Sequence, residues 1–290
     1  MGTRYDGSMH SISRRSFLAA TAAVPAIPLR ARALETVGVQ LYTVRRILPK
    51  NPLETLRTIE QIGYREVELA GDDIAVIWPA LQQTSLKAVS VHLNPLFFLH
   101  EPEKLPAAVE DARKHHLEYA VCPWIDPRDR GGADMIRKLG ARLNSAGEIC
   151  QKAGMHLCYH NHAFEYQPVG KERLLDILMQ STDPKLVSLE LDVMWAHVGG
   201  ADPVSILKQY GARIPLVHLK NVAPGVKTRY NENIPANAFR DLGHGVVDIP
   251  AVIREAKQVG VKHYFVEQDE TPGNPLDSLR ESFQYLESLS

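Results

Sequence analysis

LVSLELDVMWAHVGG, residues 186–200, and ARIPLVHLK, residues 212–220, decide the fold. Each contains a short apolar, β-branched run, and each run ends on a residue able to ligate a metal, Asp192 in the first and His218 in the second. A third run, HYFVEQ at 263–268, ends the same way on Glu267. In a closed parallel barrel the carboxyl ends of all strands converge on one face, so ligands distant in sequence meet there around one ion. The repeated order of strand, ligand and loop therefore predicts both an architecture and a place for chemistry.

Working outward, the same kind of run recurs as VGVQLY (37–42), REVELA (65–70), LKAVSVHL (86–93), EYAVCPW (118–124) and MHLCYH (155–160), which with LVSLELDV (186–193), IPLVHLK (214–220) and KHYFVEQ (262–268) makes eight. Between them lie segments such as 51–63, 103–116 and 133–154, whose apolar residues recur every three or four positions. Gly63, Gly154 and Gly260 stand just before the next strand, where a left-handed C-cap turns the chain back. Strict alternation of this kind predicts an α/β fold, a single (β/α)8 TIM barrel over residues 36–290. An open doubly wound sheet would carry a glycine-rich phosphate loop after its first strand, and Tyr42-Thr43-Val44-Arg45 stands there instead. The long segment from Val222 to Gly245, with Pro224, Gly225, Pro235 and Gly243, is expected to wall or cover the carboxyl face.

The bulk numbers agree. A length of 290 residues accommodates a barrel of about 250 residues and an N-terminal extension. A formal charge of −1 provides no field to attract nucleic acid or an anionic membrane, so neither is expected as a partner. Cys122, Cys150 and Cys158 show no CxxC pairing and are expected to be buried single thiols. Residues 1–35 differ from the rest: Ser13-Arg14-Arg15-Ser16-Phe17-Leu18 leads into an apolar run to Leu29 and an Ala31-Arg32-Ala33 site. This resembles a twin-arginine export signal, shorter than the roughly 20 residues of a membrane span. It implies cleavage and a periplasmic or exported protein, with no membrane anchor after removal.

Asp192, His218 and Glu267 are hard or borderline ligands suited to one divalent ion, Mn²⁺, Mg²⁺, Co²⁺ or Zn²⁺. Singly, each has an ordinary reading: a helix cap, a core histidine, a surface acid. Their shared position at the ends of strands six, seven and eight favours a metal site. The fourth ligand is expected from CYHNHAFE at 158–165, with Glu165 preferred because an oxygen-rich set with one imidazole suits a metal that polarises sugar oxygens, and His160 as the rival. Lys220, two residues beyond His218 on the same strand face, is placed to hold a substrate oxygen or to pair with Asp192 or Glu267. His92, His162 and Glu68, with Gln40, are candidates to line a substrate pocket at that face, and Trp124 and Trp195 to stack on the apolar side of a ligand.

YHNHAFEY (159–166), LELDVMW (189–195), VHLKN (217–221), LGHGVVDIP (242–250) and FVEQD (265–269) together resemble the sugar phosphate isomerase/epimerase-like barrels of the xylose isomerase-like superfamily. The resemblance covers roughly residues 36 to 290. It implies one divalent metal held by a Glu, Asp, His, Glu set, with Asp192, His218 and Glu267 in three of those places, and acid/base residues moving a proton beside a carbonyl. His160-Asn161 departs from the Glu-Pro or Glu-Asn common on strand five of those epimerases. The resemblance thus implies a metal-dependent sugar isomerase or epimerase, with His160, Glu165, Glu267 and Lys220 as catalytic candidates.

The alternative it carries is a lyase or dehydratase acting on a 3-keto-glycoside or inosose, since HNH on strand five is similar to barrels with such substrates. Phosphodiester hydrolysis, known among superfamily relatives, calls for more histidines and a basic groove, and the charge does not fit. A non-catalytic sugar-binding barrel would be expected to have lost the ligand set, yet Asp192, His218 and Glu267 remain. The expected partner is a small-molecule sugar; a homo-oligomer is allowed by the sequence.

Overall fold

In the upper half of this barrel the strand alternation places polar side chains inward and aliphatic ones outward. Along Val187–Asp192 the outward residues are Val187, Leu189 and Leu191, while Ser188, Glu190 and Asp192 alternate with them. The outward residues pack under the helices in one large apolar cluster; a second, smaller cluster of Val89, Tyr119, Val121, Cys158, Leu216 and Phe265 fills the barrel interior. Parallel barrel strands are ordinarily apolar on both faces. Burying Gln40, Glu68, Ser90, His160, Glu190, Asp192 and His218 beside that plug is costly unless each finds a partner, and this marks where the fold serves chemistry.

The computed structural model describes residues 1–4, 33–71 and 74–289, and the compact unit Arg32–Ser290 holds the barrel. The twin-arginine motif and apolar run at 13–29 lie outside the described residues. The strands are β1 Gly38–Gln40, β2 Glu66–Ala70, β3 Lys87–His92, β4 Tyr119–Cys122, β5 His156–His160, β6 Val187–Asp192, β7 Leu216–Leu219 and β8 His263–Val266. They form a closed barrel in the order β1-β8-β7-β6-β5-β4-β3-β2, every pair parallel. The helices α1 Pro52–Ile62, α2 Ile74–Leu81, α3 Leu105–Lys114, α4 Ala133–Lys152, α5 Leu174–Ser181, α6 Pro203–Tyr210, α7 Ile249–Val259 and α8 Pro275–Ser288 alternate with them. This is the expected single TIM barrel. Among the described residues no helix is long and apolar enough to cross a membrane.

Local chemistry explains the boundaries. The Gln40 side chain accepts from the Tyr42 amide, ending β1 in a 3₁₀ turn over Leu41–Val44, so Leu41 and Tyr42 fall outside the strand expected to include them. Asp202, Asp248 and Asn274 cap α6, α7 and α8, each with Pro in the first turn, where a missing N–H costs nothing. Gly260 ends α7 in the left-handed region at φ 87° as expected; Gly154 has φ 75°, while Gly63 lies at φ 130°, outside the left-handed well. Gly38 is required by a close approach: a Cβ there would stand 2.4 Å from the Phe265 ring that plugs the barrel. Cys122, Cys150 and Cys158 are buried free thiols.

One exposed-side device is testable. Asp176 at the start of α5 accepts from the Arg173 amide and guanidinium and, at 2.6 Å, from the Tyr210 hydroxyl at the end of α6. Burial pushes its carboxyl up, but these donors outweigh burial and hold it at about 2. A depressed pKa gives stability that is present above the ordinary aspartate value of about 3.9 and lost as pH falls toward the folded value. Asp176→Asn is therefore expected to lower stability by about 1 kcal/mol at pH 7, discounted for partial solvent screening. In urea unfolding, the difference from wild type should shrink between pH 4 and pH 2; a pH-independent difference would show that the charge is not the source.

Candidate active site

Register brings candidate ligands level. Asp192 lies opposite His218 across β6 and β7, and His160 lies opposite Glu190 across β5 and β6. Glu267 follows the last residue of β8, whose Phe265 is level with His218. One donor atom from each of His160, Asp192, His218 and Glu267 falls within 4.8 Å of all the others, and all four residues are buried. His218 Nδ1 is 2.7 Å from Glu267 Oε2, and His160 Nε2 is 3.8 Å from Asp192 Oδ2.

Asp192 has divided duties. Its Oδ1 accepts from the Trp195 amide at 2.8 Å, capping the short helix Val193–Val198. Its Oδ2 is buried without a hydrogen-bond partner, although Lys220 Nζ stands 3.0 Å away. The backbone is clamped on both sides by Asn161, whose amide donates to the Asp192 carbonyl at 3.2 Å and accepts from its N–H at 3.1 Å. Lys220 lies among three carboxylates, Asp192 at 3.0 Å, Glu267 at 2.7 Å and Asp269 at 2.7 Å.

A polar layer lies directly beneath. Glu68 accepts from Gln40 Nε2 at 2.8 Å, from the Ser90 hydroxyl and from His218 Nε2 at 2.7 Å. His92 Nε2 is 2.9 Å from both Glu68 and Glu190. Burial alone would drive the imidazoles toward neutrality; for His92 the carboxylates of Glu68 and Glu190 outweigh it and raise the ring to about 9. His218 is likewise raised, whereas burial wins at His160 and keeps it neutral. Burial raises Asp192 to about 6, with Lys220 and His218 limiting the rise.

These residues suit a divalent cation. Four buried carboxylates, Glu68, Glu190, Asp192 and Glu267, with the partly exposed Asp269, face three cationic groups, Lys220, His92 and His218, an excess of negative charge that a low-dielectric interior tolerates poorly. The orphaned Asp192 Oδ2 and the mixed imidazole and carboxylate donor set point the same way.

Glu165, preferred in sequence as the strand-five ligand, does not join the group. Tyr159 faces outward on β5, and its hydroxyl donates to Glu165 at 2.6 Å while the His162 amide donates to the same carboxylate at 2.9 Å. The 3₁₀ turn Phe164–Tyr166 thus carries Glu165 behind the strand, where burial raises its carboxyl to about 8. His160, the rival, holds the inward place. A cavity of about 870 Å³ opens above the group, lined by His92, Trp124, His160, His162, Trp195, Lys220 and Glu267. Glu68 lies below its floor. His162 Nδ1 and Trp195 Nε1 are buried without partners, their rings 5.6 Å apart.

Sequence reasoning missed Glu190 and Asp269, each two residues from a candidate ligand, Glu190 on the same face of β6 as Asp192 and Asp269 just beyond β8, a signal that was available. It also missed Arg130, stacked 4.2 Å from the Phe164 ring and bonded at 2.8 Å to Glu232. Glu232 with Ile234, Ala236 and Phe239 brings the 222–245 segment into the cavity wall, and the pair Asn221–Val222 with Phe239–Arg240 closes its base.

A family model described as a xylose isomerase-like TIM barrel matches residues 56–289. The inosose dehydratase of Geobacillus kaustophilus is 31% identical over 157 residues, 51% of this chain and 50% of that protein. The chain thus spans about half the length of the curated relatives it matches. Among solved structures, a sugar phosphate isomerase/epimerase from Parabacteroides distasonis superposes with a TM-score of 0.74 at 21% identity, over 88% of this chain and 97% of the other. A xylose isomerase-like TIM barrel protein from Mycobacterium smegmatis, in complex with magnesium, gives 0.62 at 13% identity over 89% and 98%. At these identities the structural likenesses concern the fold.

Proposed function

The chain belongs to the xylose isomerase-like TIM barrel family, and from that membership we propose that it is a metal-dependent enzyme that removes a proton beside the carbonyl of a sugar or keto-sugar. The observation that carries this reading is the group His160, Asp192, His218 and Glu267, contributed by the ends of four adjacent strands and reaching the cavity through His160 and Glu267, with Asp192 Oδ2 buried without a hydrogen-bond partner. A divalent ion held there supplies Lewis acidity to adjacent substrate oxygens.

The chain's own residues do the rest. Lys220, kept charged by its three carboxylates, donates to the oxygen that becomes negative as the enolate forms. His162, in the cavity wall with an unpartnered nitrogen, takes and returns the proton. Trp124 and Trp195 offer aromatic faces to the sugar's C–H side and exclude water. Return of the proton to the neighbouring carbon gives isomerisation, and return to the other face of the same carbon gives epimerisation.

The substrate we propose is uncharged. Each described cation lining the cavity is already paired: Arg45 with Glu270 at 3.0 Å, His92 with Glu68 and Glu190 at 2.9 Å, and Lys220 with Asp192, Glu267 and Asp269. No uncompensated positive charge is left there for a phosphate dianion. A second reading, dehydration of an inosose or lysis of a 3-keto-glycoside, shares the proton-abstraction step and then expels a group from the next carbon; the likeness to inosose dehydratase favours it. Export to the periplasm is proposed on the SRRSFL motif alone.

The test is the metal content of the purified protein together with solvent deuterium incorporation into a panel of keto-sugars, 3-keto-glucosides and inososes. About one metal per chain is expected, with exchange lost on chelation and restored by adding the ion back. Product analysis then separates rearrangement from loss of water. A metal-free protein that exchanges no proton in any of these compounds would sink the reading.

A further inference from the structure

Glu190 takes no part in the chemistry proposed above, yet it is fully buried one inward position below Asp192. Its Oε2 lies 2.9 Å from His160 Nδ1 and 2.9 Å from His92 Nε2, and its Oε1 lies 3.4 Å from His218 Nε2. Glu68 receives the same His218 nitrogen at 2.7 Å and is itself fixed by Gln40 and Ser90. His160 and His218 therefore each turn one nitrogen down to a carboxylate and the other up, His160 Nε2 toward Asp192 and His218 Nδ1 toward Glu267.

His92, His160, Glu190 and His218 also bring donor atoms within 4.8 Å of one another, so the lower layer has the composition of a second metal site. The two positions compete for the same rings. A neutral imidazole carries one N–H and one lone pair, and an ionised carboxylate only accepts, so a ring that keeps its N–H for the carboxylate below offers its upper nitrogen to an ion; His218, 2.7 Å from a carboxylate on each side, carries both protons until an ion displaces the upper one. Filling both positions would require both rings to lose both ring protons. Glu68, and Glu190 through Oε2, are held by hydrogen bonds with His92 between them, while Glu190 Oε1 has none and stands 3.4 Å from His218 Nε2; the shared rings leave room for one ion, and the lower layer holds their protons.

We propose that Glu190 and Glu68 are positioning residues that fix His160 as an Nε2 ligand and His218 as an Nδ1 ligand of a single divalent ion. Carboxylates behind ligating histidines lock ring tautomer and orientation and raise ligand basicity. The proposal rests on the reading of His160, Asp192, His218 and Glu267 as the metal-holding group.

The experiment titrates Co²⁺ into metal-free wild type, Glu190→Gln, Glu190→Asp and Glu68→Gln, following stoichiometry, affinity by chelator competition, the visible spectrum and the melting temperature without metal. Wild type is expected to take one Co²⁺ per chain. Glu190→Gln, which keeps the shape and an acceptor for His160, is expected to bind about 10- to 100-fold more weakly, with a shifted spectrum and an apo melting temperature that is unchanged or higher. Glu190→Asp should lie between. A purely structural role would lower the melting temperature and leave affinity and spectrum alone.

Should the Gln variants fail to fold, long-range ¹⁵N imidazole spectra of Zn²⁺-loaded wild type decide the matter: His160 is expected as the Nδ1–H tautomer and His218 as the Nε2–H tautomer, and the opposite assignment overturns the proposal. Wild-type affinity in Glu190→Gln also overturns it, as do two Co²⁺ per wild-type chain with one lost on that substitution. Wild type that binds no metal instead removes the functional reading on which the proposal rests.

Discussion

Asp192→Asn is expected to lose the divalent ion and the proton-exchange activity while the barrel stays folded. The asparagine oxygen keeps the hydrogen bond that Asp192 Oδ1 accepts from the Trp195 amide at 2.8 Å, so the helix cap survives. What disappears is the charge on Oδ2, the atom without a hydrogen-bond partner beside His160, His218 and Glu267. If a four-ligand site is worth about 10–16 kcal/mol, one charged ligand accounts for roughly 3 kcal/mol, or about 100-fold in affinity. Asp192→Ala should show the same metal loss plus about 1 kcal/mol of lost capping stability. The wild-type affinity should also depend on pH: burial raises the Asp192 carboxyl to about 6, and a proton there competes with the metal, so binding should strengthen as pH rises through 6. Isothermal titration of both variants and wild type from pH 5 to pH 8 checks this. Wild-type affinity in Asp192→Asn would remove Asp192 from the ligand set.

The barrel was legible because its signal is local: each strand announces itself as a short apolar, β-branched run, and closure comes from eight such runs separated by helices. The convergence of Asp192, His218 and Glu267 was legible for a topological reason, since strand ends in a barrel share a face. Glu165 misled because its placement depends on the chain after His160. Asn161 turns back to bind both backbone groups of Asp192, and the next 3₁₀ turn delivers Glu165 to Tyr159 on the outer side. A preference for oxygen-rich ligands carried no information about that turn. Glu190 was illegible in weight rather than in place: an inward strand acid gains meaning only when His92, His160 and His218 arrive from other strands. Arg130 and Glu232, joined across 102 positions of sequence, gave no signal of their pairing.

Lys220→Met is expected to lower kcat for proton exchange by about 10²- to 10³-fold with KM little changed, the size of effect seen when one preorganised donor to a developing oxyanion is removed. The reason begins with its surroundings. Burial opposes charge on this amine, but Asp192, Asp269 and Glu267 outweigh burial and raise its pKa well above the ordinary lysine value, so it stands as an ammonium and serves as a donor rather than a base. It lines the cavity immediately beyond β7, 3.0 Å from Asp192 and 2.7 Å from Glu267, where a substrate oxygen would come within its reach. The substitution also leaves buried carboxylates uncompensated, which costs about 3–5 kcal/mol. Metal should restore part of that stability, because the ion neutralises Asp192 and Glu267 while Asp269 stays unpaired. The kinetics therefore belong in saturating metal, with melting temperatures measured with and without it. A variant that is destabilised but retains wild-type kcat would make Lys220 an ion-pair residue and nothing more. A large fall in kcat in the stabilised, metal-loaded protein is what a donor to the enolate requires, because an ion pair that merely holds the strands together has no reason to act on the chemical step once the fold is secured.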